Sequence, residues 1–193
     1  MFSKELSIMD LDLIFEFLQR NRQFNHKLQE NFYKSTIISQ DKVENTHKII
    51  SLLYKAANTQ SKPNIDELSK FYRFIWDNIS KLGTFESFVS LLNSNPMPRL
   101  TTYESLYLGL SKKNGWGPKT SALFVKIIYH IHNGNYDKRL QLWSDAPIDL
   151  SVQDRIYLPV DRVIISIFNR LGKKNWNFNS INKLLSEKYC PEK

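Results

Sequence analysis

One cysteine, Cys190, is too few for an intramolecular disulfide, an all-cysteine zinc site or a four-cysteine iron-sulfur cluster. Any metal would need oxygen or histidine ligands. The four histidines, His26, His47, His130 and His132, lack the spacing of a ligand set, so no catalytic metal is assigned. No run of about 18 apolar residues is present, and a membrane partner is not expected. No convincing period-two alternation of apolar and polar residues occurs, which disfavours a sheet-based fold. The opening residues hold Lys4 and Glu5 rather than a signal-peptide stretch, so the expected setting is cytoplasmic. Glycine is scarce as well, and two of the six glycines, Gly115 and Gly117, fall within three residues of each other.

Negative charge is in short supply in one half of the chain. Residues 1–98 hold 12 Lys/Arg against 11 Asp/Glu, whereas residues 99–193 hold 15 against 8. Most of the net charge of +8 therefore lies in the second half. Cations that neutralise phosphates release condensed counterions and gain affinity, so this asymmetry favours a polyanionic partner. A solvated basic surface is the plain alternative.

What the chain has in abundance is apolar residues at helical spacing. Leu11, Ile14, Phe15 and Leu18 form one set, and Ile49, Ile50, Leu53 and Tyr54 another. Leu68, Phe71, Tyr72, Ile75, Trp76 and Ile79 form a third, with Trp76 assigned to the core. Asp41 and Glu44 have the spacing of a capping box, Gly83 is placed to end the helix of Trp76, and Thr84 can cap a helix burying Phe85, Phe88, Val89 and Leu92. Pro96 and Pro98 mark a connection. It divides an N-terminal helical region, 1–98, from a second region, 99–193. Thr101 and Glu104 restart a helix through Leu106, Tyr107 and Leu110. Later helices bury Leu123, Phe124, Ile127, Ile128 and Ile131, then Val163, Ile164, Ile167, Phe168 and Leu171 up to Gly172. A last one, from about Asn179, buries Ile181, Leu184 and Leu185. The stretch 133–157 is irregular and long for a plain connection, which suggests a functional loop or an inserted structure. The expected fold class is all-α.

The segment Gly115-Trp116-Gly117-Pro118-Lys119-Thr120 joins two of these helices. Its glycines permit a sharp turn and a close approach to another surface, and Pro118 suits the first position of the following helix. The free N–H groups of that helix start would face outward as a phosphate site, with Lys119 adding charge. A nucleotide-binding P-loop requires lysine directly after the last glycine; here Pro118 intervenes and no strand precedes, so an NTPase is excluded. A structural helix-helix corner is the plain alternative.

The run from Gly115 to Ala122 resembles the Gly-hydrophobic-Gly-x-Lys-Thr-Ala hairpin of the helix-hairpin-helix (HhH-GPD) DNA glycosylase superfamily. Leu158-Pro159-Val160-Asp161, with the helix ending Asn169-Arg170-Leu171-Gly172, resembles that superfamily's Val-Asp segment. The likeness spans residues 106–172. Lacking cluster cysteines, the chain is most similar to the cluster-free branch, the 8-oxoguanine DNA glycosylase/AP lyases and their archaeal relatives. The resemblance implies a two-lobed helical glycosylase fold, whose lobes can interleave in sequence. It also implies a monomer that binds double-stranded DNA containing a damaged base, at the nucleoid of a bacterium or archaeon or in a eukaryotic nucleus.

In that family the hairpin grips backbone phosphates, which assigns DNA binding to Lys112, Lys113, Gly115, Gly117 and Thr120. The resemblance makes Lys119 the amine that combines base removal with strand cleavage, and Asp161 the catalytic carboxylate. No cofactor is expected beyond a monovalent cation on the hairpin carbonyls. A lysine of depressed pKa can attack C1′ of an extruded nucleotide and pass to a Schiff base. A carboxylate at a helix start can cap that helix and stabilise charge developing on the sugar. Trp143 is a candidate platform for the extruded base, or alternatively an anchor for its loop. Trp116 reads as a core plug. Three departures stand out: Lys113 occupies a usually apolar position, Arg162-Val163 follows Asp161 where Thr-His is common, and Lys119 and Asp161 are 42 positions apart, a long spacing that gives the 133–157 stretch a possible role in specificity. The expected activity is excision of a damaged base, an oxidised purine first, with β-lyase cleavage. A monofunctional glycosylase and a non-catalytic helix-hairpin-helix DNA-binding protein are the alternatives.

Overall fold

The computed structural model describes residues 8–38, 44–93, 102–152, 154–171 and 175–188. Among them are nine α-helices and no strand, in agreement with the all-α expectation. No helix of the described residues is long and apolar enough to cross a membrane. The chain divides into two compact units, one of residues 32–159 and one combining 1–31 with 160–193. The expected boundary at residue 98 lies outside the described residues.

The larger unit takes the end of α2 (Arg22–Ile37), then α3 (Asn45–Ala57), α4 (Ile65–Asp77), α5 (Phe85–Leu92), α6 (Tyr103–Ser111) and α7 (Pro118–Asn133). Helix α7 packs against both α6 and α3, so the segment joining α6 to α7 starts from the middle of the unit. Apolar side chains at helical spacing explain the packing. Ile49, Leu52 and Leu53 of α3 are buried with Leu68, Phe71 and Ile75 of α4, and with Phe124, Ile128 and Ile131 of α7. Helix α5 buries Phe85, Phe88, Val89 and Leu92 as expected, and the Thr84 hydroxyl accepts the Ser87 N–H at 3.1 Å. Helix α6 is capped by Thr102, which accepts from Ser105 N at 3.1 Å; Thr101 lies outside the described residues. Glu44 stands at the start of α3 without a side-chain cap bond, and Asp41, its expected partner, is also outside them.

Trp76 departs from the core assignment, because 59% of its surface is exposed. The inward face of α4 is the Leu68, Phe71 and Ile75 stripe, and the next residue is rotated about 100° away from it. Tyr54, one residue after the buried Leu53, is 58% exposed for the same reason. Helix α4 stops at Asp77 instead of reaching Gly83. The Asn78 side chain bonds back to Phe74 O at 2.9 Å, and a 3-10 turn, Ile79–Leu82, takes over up to that glycine.

The smaller unit holds α1 (Ile8–Arg20), the first turns of α2, α8 (Arg162–Leu171) and α9 (Phe178–Lys188). Leu11, Val160, Phe168 and Ile181 are buried, and the Phe168 ring meets Trp176 edge-on at 5.3 Å. Ile14, Leu18, Val163 and Ile167, which the periodicity assigns to inward faces, are exposed. Gly172 lies outside the described residues.

Candidate nucleic-acid interface

The α6–α7 corner is built from two local constraints. After α6 ends, Lys113 N bonds to Leu110 O at 2.9 Å and Trp116 N to Lys113 O at 3.1 Å, so the backbone turns twice in six residues. Gly115 makes this possible with φ of +75°, in the left-handed region that glycine enters without strain. A Cβ there would also lie 2.8 Å from Leu68 Cδ2 and 3.0 Å from Leu68 N, so α4 lies directly against the turn. Gln60 fastens the far side by donating to Gly115 O at 3.0 Å, and the Asn114 amide bonds to Glu67.

Trp116 is 4% exposed, with its ring 5.2 Å from Phe71 and 5.9 Å from Phe124. It is the core plug the sequence suggests. The corner is thereby pinned from inside, with Lys112, Asn114 and Pro118 exposed around it.

Gly117 is the N-cap of α7, extended and without a side-chain cap, and Pro118 is the first helical residue. The N–H groups of Lys119 and Thr120 fall in the first turn, where no intrahelical acceptor exists. Nothing lies within 4 Å of where a Gly117 Cβ would sit, so a ligand can approach this backbone closely. Thr120 is 3% exposed, which leaves its backbone N–H rather than its hydroxyl as the group able to meet a phosphate. Lys112 is exposed beside the turn. Lys113 lays its Nζ over the Phe74 ring at 4.4 Å, and partial burial holds its pKa below the ordinary lysine value. Its stem therefore covers apolar surface while its charge stays available.

Lys119 donates from Nζ to Thr59 O and Thr59 Oγ1, each at 3.3 Å, just beyond the C-terminus of α3. Seven residues along α7, on the same side of the helix, lies Lys126. Its amine is held below the ordinary lysine pKa by burial. The sequence reading passed over it, although a single lysine inside Leu123-Phe124-Val125-Lys126-Ile127-Ile128 is a legible signal. The parts played by Thr59 and Gln60 had no such signal.

Asp161 caps α8: its Oδ1 accepts the Ile164 N–H at 2.9 Å and its carbonyl the Ile165 N–H at 3.0 Å. It belongs to the unit of 1–31 and 160–193, whereas Lys119 belongs to 32–159.

Trp143 is corrected from base platform to anchor. It is 3% exposed, its ring is near-parallel to Phe88 at 5.6 Å and to His132 at 6.1 Å, and its Nε1 donates to Leu82 O at 2.7 Å. Neither its faces nor its donor are open to a base.

Among the described residues no three His, Cys, Asp or Glu side chains gather as metal ligands. His130 Nδ1 is hydrogen-bonded to the Tyr33 hydroxyl at 3.2 Å, and His132 is buried beside Trp143. A cation on the hairpin would share carbonyls already in use, since Lys113 O accepts from Trp116 and Gly115 O from Gln60. No protein-family model, curated protein or solved structure matches the chain.

Proposed function

We propose that the chain is a base-excision DNA glycosylase with β-lyase activity, of helix-hairpin-helix type, acting on duplex DNA at a damaged base, with an oxidised purine as the first substrate to try. The observation that carries this reading is the corner at 115–120. A positive-φ glycine, a buried tryptophan and an uncapped Gly-Pro helix start leave two N–H groups of the first turn of α7 open to a ligand, with Lys119 in the same turn and its amine held on Thr59. A phosphodiester suits that arrangement, because the N–H groups and the helix dipole both favour an anion.

The roles follow the resemblance. The target nucleotide leaves the stack, which costs roughly a few kcal/mol that the phosphate contacts offset. Lys119, as the neutral amine, attacks C1′ while the base departs with the glycosidic electron pair. Loss of a proton from nitrogen and opening of the sugar ring give the Schiff base, from which β-elimination breaks the 3′ C–O bond. Asp161, ionised, stabilises the positive charge on the sugar as the base leaves. For the attack Lys119 must give up its bonds to Thr59 and lose a proton.

Borohydride trapping on an abasic-site duplex tests the assignment. A covalent adduct is expected with the wild type and with Lys126→Ala, and none with Lys119→Ala. An adduct that survives Lys119→Ala and vanishes in Lys126→Ala moves the chemistry to the buried amine. Base release without an adduct makes the enzyme monofunctional. The attachment of Lys119 to Thr59 specifically favours a second reading, a non-catalytic DNA-binding protein, for which duplex binding without base release or adduct is the expected result. Failure of the wild type to bind any duplex at low salt removes all three.

A further inference from the structure

The outer side of α4 carries Arg73, an exposed cation in no ion pair among the described residues. A shallow cleft there is lined by Lys70, Arg73, Phe74 and Asp77, among others. Lys113, from the hairpin, reaches across to the Phe74 ring. Among the described residues neither Arg73 nor Lys113 has an ion-pair partner. Glu67, six residues before Arg73 on the same helix, is engaged by Lys70 and Asn114. Asp77, at the other end of the cleft, is the opposing charge.

Position matters as much as charge. Leu68 touches the hairpin at Gly115, and Phe74 lies six residues farther along the same helix. At 1.5 Å of rise per residue the offset along the helix axis is about 9 Å. Successive nucleotides advance about 3.4 Å along the duplex axis, so an offset of this size is within reach of a neighbouring phosphate on a backbone held at the hairpin.

We propose that Arg73 and Lys113 form a second phosphate-contact site, which continues the DNA-backbone track of the hairpin onto the outer face of α4. The ligand is a neighbouring phosphodiester of the backbone held on the α7 N-terminus. Guanidinium and ammonium contact it without reading sequence, so the site adds affinity and register rather than base preference. This inference rests on the DNA-binding reading of the hairpin.

The test is binding of a lesion-free, fluorescein-labelled duplex by anisotropy across a salt series, for the wild type, Arg73→Gln, Lys113→Met, their double variant and Lys119→Gln. Methionine keeps an unbranched stem on Phe74, and Arg73 is exposed, so thermal melts serve to confirm that both variants stay folded. Each single change is expected to lower the slope of log affinity against log salt by about 0.9, and the double by about twice that. Between about 50 and 200 mM salt the penalty of each variant should then shrink three- to fourfold. Unchanged slopes for Arg73→Gln and Lys113→Met, with a reduced slope for Lys119→Gln, would overturn this site and leave the hairpin reading standing. No duplex binding by the wild type at the lowest salt would overturn both.

Discussion

Acid should destabilise this protein through His132 well before its carboxylates titrate. The imidazole is 8% exposed, near-parallel to the Trp143 indole at 6.1 Å, and its Nε2 is buried without a hydrogen-bond partner. Burial lowers its pKa from 6.5 to about 4, against a smaller opposing pull from Asp145. Above pH 6.5 the ring is neutral in both folded and unfolded chains, and its contribution to stability is complete. Between 6.5 and 4 the unfolded chain binds a proton that the folded chain refuses, so stability falls as pH falls. At about 1.4 kcal/mol per pH unit, the loss accumulates to about 3 kcal/mol by pH 4. A domain of ordinary stability has about 5–15 kcal/mol in all, so the effect is large.

Urea unfolding from pH 7 down to pH 4.5, wild type against His132→Phe, reads this term. Phenylalanine keeps a ring beside Trp143 and removes the orphaned nitrogen, so the variant should equal or exceed the wild type at pH 7. Its advantage should widen steadily below pH 6.5. Subtracting the two profiles removes the other histidines and the carboxylates, which both proteins share. Parallel profiles over the whole range would refute the buried neutral imidazole.

The two hairpin glycines should part company. Gly115→Ala combines a left-handed φ, costing about 1–2 kcal/mol, with overlap on Leu68, and a clear drop in melting temperature is expected. Gly117→Ala has open space and an ordinary φ, so its cost stays near or below 1 kcal/mol, yet its methyl should weaken duplex binding at every salt concentration. Trp143→Ala should lose about 3–5 kcal/mol in denaturant unfolding, as expected of a buried indole with a satisfied N–H. An unchanged midpoint with impaired base release would restore the base-platform role. Asp161→Asn retains an acceptor for the Ile164 N–H but not the charge, so it should unfold within about 1 kcal/mol of the wild type while base excision collapses. Full activity of the asparagine variant would reduce Asp161 to a cap.

The parts of the fold legible in the sequence are those decided within one turn of helix. Thr84 and the Gly115 turn were readable because capping and left-handed backbone depend on residues three or four positions apart at most. Trp116 was readable because an apolar residue between two glycines must point somewhere, and the flanking helices supply a core. Trp76 was not. Helical periodicity gives the direction of a buried face but not its width, and the width depends on what packs alongside. Gln60 carries no signal of its own, because its interest comes from Gly115, 55 positions away. Within the candidate site the motif residues were legible, whereas the environment of each amine was not. Thr59 at Lys119 and the partial burial of Lys126 are products of tertiary packing.

The irregular stretch after α7 shows why length alone is a poor guide to function. A long connection suggests a specificity loop, yet this one is spent largely on satisfying helix ends. Asp145 accepts from Phe85 N and Glu86 N at 2.9 and 3.0 Å, closing the start of α5, and Asp154 accepts from Glu104 N at 2.9 Å, closing the start of α6. Tyr103 donates its hydroxyl to Pro147 O at 2.8 Å, and Tyr157 stacks on Tyr107 at 4.3 Å while donating to Glu104. Each carboxylate satisfies N–H groups that would otherwise lack partners and sits at the positive end of a helix dipole, which stabilises both partners. Ile148 and Val152 are its large apolar side chains that stand clear among the described residues, with 78% and 106% exposure. The distance in sequence between Lys119 and Asp161 therefore reflects a strap that completes the larger unit. Ile148→Ser and Val152→Ser, at exposed positions of this stretch, should leave the melting temperature nearly unchanged, because neither side chain has much buried surface to lose.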